Sequence, residues 1–131
     1  MDLIRHTNPP ELSKPTGYTH VVEVNRGRTV YIAGQVSFDA SGGVVGKQDF
    51  TAQTRQVMEN LKAALASVGA TFENVVKVNT YVTDMSQIQA LREIRTRYDT
   101  RNGSVPPIKI VGKSTSKNVS APVVAADLPA V

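Results

Sequence analysis

At 131 residues, with 40% hydrophobic and 20% charged side chains, the chain has the composition of one globular domain built on one core, which excludes general disorder. It contains no cysteine, so disulfides, thiolate metal sites and cysteine nucleophiles are excluded. The net charge of +4 is modest and its basic residues are scattered, which is only weak support for an anionic partner.

Leu3 and Ile4 fit a short edge strand that stops before Asn8-Pro9-Pro10, because proline donates no ladder hydrogen bond. The segment to Gly17, rich in Pro, Ser, Lys and Thr, reads as an ordered loop or arm. Two strands follow at about residues 20–24 and 29–33, joined by Asn25-Arg26-Gly27-Arg28 as a tight hairpin in which Gly27 supplies the positive φ. Gly34-Gln35-Val36-Ser37-Phe38 continues the second strand, and Asp39-Ala40-Ser41-Gly42-Gly43 makes a second turn.

The run from Phe50 to Val82 is the most regular in the chain. Val57, Met58, Leu61, Ala64, Leu65 and Val68 recur at helical spacing, while Arg55, Glu59 and Lys62 occupy the other face and can pair along it. Asp49 or Thr51 can cap the start, and Gly69 stands where a left-handed residue ends a helix. In the strand that follows, Val76, Val78, Thr80 and Val82 alternate with Lys77, Asn79 and Tyr81. Ser86-Gln87-Ile88-Gln89 has the capping-box pattern, with Ile88, Leu91, Ile94 (or Arg95) and Tyr98 along one face of a second helix that ends at Asn102-Gly103. Val105-Pro106-Pro107 opens a strand at about 108–112, and a last strand at 119–128 is interrupted by Pro122. The order β-β-β-α-β-α-β-β, without repeat or linker, predicts a single α+β domain over residues 1–131, with both helices on one face of a mixed sheet.

Few residues declare a chemistry. His6 and His20 are far apart, with no carboxylate at ligand spacing, so neither a metal nor another cofactor is expected. Gly42-Gly43 lacks the lysine and helix start of a phosphate loop and reads as a turn. Arg92, Arg95, Arg97 and Arg101 make the second helix basic, but four tyrosines, three phenylalanines and no tryptophan give little stacking surface for nucleic acid. No stretch approaches the roughly 20 apolar residues of a membrane helix, and the first residues lack a signal pattern, so a cytoplasmic protein without membrane partners is expected.

The combination Asn8-Pro9, Gly17-Tyr18, Tyr31-Ile32-Ala33-Gly34-Gln35-Val36, Gln53, Asn60-Leu61, Val75-Val76-Lys77-Val78, Tyr81-Val82-Thr83-Asp84-Met85 and Pro106-Pro107 resembles the RidA (YjgF) superfamily along almost the entire chain. The resemblance implies a chorismate-mutase-like α+β fold, assembled as a homotrimer with small-molecule clefts between subunits. RidA-type members hydrolyse enamines and imines such as 2-aminoacrylate to keto acids and ammonia. That chemistry uses an arginine that holds the substrate carboxylate, an acid near the attacking water, and a tyrosine with backbone groups that shape the cleft.

By that pattern Ile108 stands at the arginine position and Val123 at the position of the acid, while alternation turns Lys109 to the opposite face. Ala33 replaces the usual serine before Gly34-Gln35, Tyr18 matches, and Arg92 lies near a family asparagine position. The resemblance thus implies a cleft of Tyr18, Ala33, Gly34, Gln35, Arg92, Pro107, Ile108 and Val123, with Tyr18 and Gln35 the candidate catalytic or polar groups. A charge-assisted pair contributes roughly 1.5–3 kcal/mol, and a general acid or base on the order of 100- to 10,000-fold in rate. Typical deaminase activity is therefore expected to be lost or altered, and the ligand to be more apolar than a keto acid. Two alternatives stay open: an active enamine/imine deaminase using substitute residues, and a non-catalytic ligand-binding or accessory protein. The ribonuclease activity sometimes attached to this family is disfavoured by the sparse aromatics.

Overall fold

The apolar spacing of the longest helix decides how the rest is arranged. The computed structural model describes residues 4–16, 18–98, 108–112 and 121–128, the last two segments as strand backbone. Helix α1 spans Phe50–Ser67 and buries Val57, Met58, Leu61 and Leu65, with Ala64 and Val68 half-buried at the edge of the stripe. Asp49 is the cap, its carboxylate accepting from the Ala52 amide at 3.0 Å. At the other end Gly69 (φ +74°) donates to the Ala66 carbonyl, and the Ala70 amide reaches back to Leu65 at 2.9 Å. Those paired bonds satisfy carbonyls that the last turn leaves free.

The strands are β1 (Ile4–Thr7), β2 (Val21–Val24), β3 (Arg28–Gln35), β4 (Val75–Val82), β5 (Ile108–Gly112) and β6 (Ala121–Leu128). Helix α2 covers Ile88–Tyr98. Strands β3, β6, β4 and β5 lie side by side in that order, with β4–β5 parallel and the other neighbours antiparallel, which makes the expected mixed sheet. The helices pack against each other, and α1 also lies on β3 and β6. Val30, Ile32 and Val78 meet the helical core on one face, while Thr29, Tyr31, Ala33, Lys77 and Tyr81 are exposed on the other.

The expected hairpin between the second and third strands does not form a ladder. Gly27 makes the turn with φ +111°, but β2 pairs antiparallel with β1, where Arg5 Nε lies 3.5 Å from Glu23 Oε2, and β3 pairs with β6. The turn residues were readable; the partner of each strand was not, because both edges of an isolated strand offer the same backbone groups. Alternation also breaks once in β4. The register slips between Val75 and Lys77, a one-residue bulge that leaves Val75 buried on the core side. A matching irregularity in β3 sits between Ile32 and Gln35, opposite Pro122 of β6, where a residue without an N–H must be accommodated.

The second helix starts differently from its expected capping box. A 3₁₀ turn at Met85–Gln87 precedes α2, and Asp84 caps it by accepting from the Ser86 amide at 3.0 Å and its hydroxyl at 2.6 Å. Asp84 also has the extended backbone of a cap, which leaves Ser86 inside the turn and Gln89 free to reach Glu93. Leu91 and Ile94, not Arg95, face the core, and the Tyr98 hydroxyl donates to Glu59 at 2.8 Å, tying α2 to α1. Burial, and then that bond to Glu59, raises the Tyr98 hydroxyl above its ordinary pKa.

Candidate functional site

The end of β3, the turn after it and the middle of α1 enclose an open groove of about 520 Å³ lined by Gly34, Gln35, Val36, Phe38, Asp39, Ala40, Asn60 and Ala63. Its shape follows from a polar stripe on α1. Gln53, Gln56 and Asn60 recur at helical spacing, and each donates to a backbone carbonyl of the segment that follows β3. Gln53 reaches the Gly46 carbonyl at 3.0 Å. Asn60 Nδ2 spans the carbonyls of Val36 and Phe38 at 3.1 and 2.9 Å, and its Oδ1 accepts from Gln56 at 2.9 Å. Backbone carbonyls that leave a sheet ladder need such partners, so the stripe fixes the groove wall against the helix.

The opposite wall is the turn at Asp39. Phe38 and Val44 form a bridge, Asp39 and Gly43 are joined by an amide-to-carbonyl bond of 2.9 Å, and Gly42 takes φ +83°. One oxygen of Asp39 accepts from the Ser41 hydroxyl at 2.7 Å, the Gly43 amide at 2.8 Å and the Ser41 amide at 3.0 Å. The Ser41 hydroxyl first, and then the Gly43 amide, hold this carboxyl below the usual carboxylate range. The described groove lining therefore contains one carboxylate and no cation.

Of the expected cleft residues, the groove brings together Gly34 and Gln35; Ala33 immediately precedes them, and Gln35 Nε2 donates to its carbonyl at 3.2 Å. Tyr18 is half-buried in the arm, its ring edge-on to His20 at 5.1 Å, and His20 Nε2 is 2.7 Å from the Ser13 carbonyl. Arg92 is exposed on α2; neither it nor Tyr18 lines this groove. Pro107 and the side chains of Ile108 and Val123 lie outside the described residues, but the strand register places Ile108 and Val123 on either side of Val78, in a row that continues to Ile32.

Phe38, Asp39, Asn60 and Ala63 escaped the sequence reading as site residues. The 53–56–60 polar spacing was a signal, but on a helix it reads equally well as a solvated margin. Among the described residues no group of three or more His, Asp or Glu is placed to hold a metal, and no helix is long and apolar enough to cross a membrane.

The sequence profile described as Endoribonuclease L-PSP matches residues 10–119. This chain belongs to the RidA/YjgF superfamily. A RutC family protein of Pyrococcus abyssi is 36% identical over 86 residues, which are 65% of this chain and 66% of that relative. Mouse 2-iminobutanoate/2-iminopropanoate deaminase is 34% identical over 104 residues, 79% of this chain and 73% of the mouse protein. The crystal structure of a Rid-family protein of unknown function from Yersinia pestis superimposes with a TM-score of 0.80 at 33% identity, covering 96% of this chain and 100% of that one. In this RidA-superfamily chain the groove thus adjoins Ala33-Gly34-Gln35, part of the segment that resembles the family.

Proposed function

We propose that the chain assembles as a homotrimer and binds a small compound with a carbon–nitrogen double bond in the cleft beside Gly34-Gln35, with RidA-type hydrolysis of 2-aminoacrylate lost or strongly reduced. The observation that carries this is the charge of the groove: among its described lining residues Asp39 is charged and none is basic. A substrate carboxylate would find no bidentate partner there and would face a like charge. A cleft completed between subunits would bring Tyr18 of a second copy to the same ligand. The register supports treating Ile108 and Val123 as a pair, since they flank Val78 from both sides. An active deaminase with substitute groups is the second reading, favoured by the name of the mouse relative.

The deciding measurement is release of ammonia and keto acid from freshly generated 2-aminoacrylate. The wild type is expected to stay at the level of the blank. The double variant Ile108→Arg/Val123→Glu is expected to gain turnover with its thermal midpoint kept if the two positions face the cleft; a fallen midpoint without turnover would put their row in the core, as for Val78 and Ile32. Clear turnover by the wild type would instead establish the second reading.

A further inference from the structure

We infer that the groove receives the positively charged nitrogen of its ligand, an ammonium or a protonated imine, between the Asp39 carboxylate and the Phe38 ring. The inference rests on reading the groove as the ligand cleft and adds which end of the ligand enters it. Asp39 is built to stay ionised and to keep one oxygen free. Its Oδ1 is occupied by the three turn donors, whereas no hydrogen bond from a described residue engages Oδ2. Gly43 keeps space beside that free oxygen, since a Cβ there would stand 3.0 Å from Oδ2. Phe38, 42% exposed, lines the same groove as Asp39 and adds an aromatic surface to it, and Val36, Ala40 and Ala63 give an apolar body somewhere to lie. A carboxylate with an adjacent open ring attracts a cation by direct charge and through the ring quadrupole. The same arrangement repels an anion.

The test uses the isotope-labelled full chain and three probes of one shape: benzylamine, benzyl alcohol and benzoate. The amide resonances of Gly34, Gln35 and Gly43 are followed during titration. Benzylamine is expected to bind about threefold to fivefold tighter than benzyl alcohol, as suits a solvent-exposed charge pair, and benzoate more weakly than either. Asp39→Asn, which keeps the Oδ1 acceptor for the turn, should bring benzylamine to the level of the alcohol. Raising ionic strength from about 0.01 M to about 0.15 M, which shortens screening from about 30 Å to about 8 Å, should narrow the difference between benzylamine and the alcohol for the wild type and leave the alcohol unchanged. Should the variant fail to fold, this salt dependence decides alone. Equal shifts with all three probes would overturn the inference while leaving the groove as the cleft. Groove amides that move with none of them would overturn both.

Discussion

Asn60 holds two carbonyls with one amide group, and both belong to the segment after β3 that forms the groove wall. Replacing it by alanine leaves those acceptors to water or to nothing, at a cost of about 1–3 kcal/mol. Denaturant unfolding of Asn60→Ala should show that loss, while Asn60→Gln, which keeps the donor, should recover part of it. Gly46 is constrained more severely: at φ +68° a Cβ would lie 2.7 Å from that of Ala52. Gly46→Ala is therefore expected to cost about 1–3 kcal/mol by the same measurement, and a neutral result would show that the loop relocates freely. Of these residues the family pattern singled out Asn60 without a role, and Gly46 not at all. The roles escaped because Asn60 meets partners 22 and 24 positions away, a distance that no local spacing encodes.

At the level of elements, periodicity was the reliable signal and pairing the unreliable one. The buried stripe of α1 was legible because it depends only on the helix's own repeat. Leu65, with 0% exposure, is its most enclosed member, and Leu65→Ala should lower unfolding stability by about 2–5 kcal/mol. The exposed Lys62→Ala on the same helix should change it by less than about 0.5 kcal/mol. Hairpin pairing, the β4 bulge and the Asp84 cap all depended on which neighbour won, which the local pattern left undecided. The Asp84 cap has its own signature. The Ser86 hydroxyl, then its amide, hold that carboxyl below the ordinary value of 3.8, so the folded chain binds this proton less readily than the unfolded chain. The stability it contributes is present above about pH 4 and is lost as pH falls through the folded value. Thermal midpoints from neutral to acidic pH should fall less steeply for Asp84→Asn than for the wild type; parallel curves would remove the cap from the acid response.

Taken as a whole molecule, the described helices cover one side of the sheet, and no described element packs on the other. Tyr31 is 79% exposed and Tyr81 41% exposed, both on the face away from the helices, with Thr29 and Ala33 beside Tyr31. Aromatic rings on a bare sheet face are unusual for a lone subunit, and stable association generally buries about 1,200–2,000 Å². The proposed trimer would cover this face and bring a second copy to the groove, since Ala33 on that face leads directly into Gly34-Gln35. Light scattering at micromolar concentration should then give three chain masses. Tyr31→Lys, which places a charge in the buried junction without touching the core, should shift the mass towards one chain while the helical signal is kept. If the wild type runs as a monomer, the sheet face does not need a partner. The ligand site must then be complete within one chain, with Tyr18 no longer available to it from a neighbour.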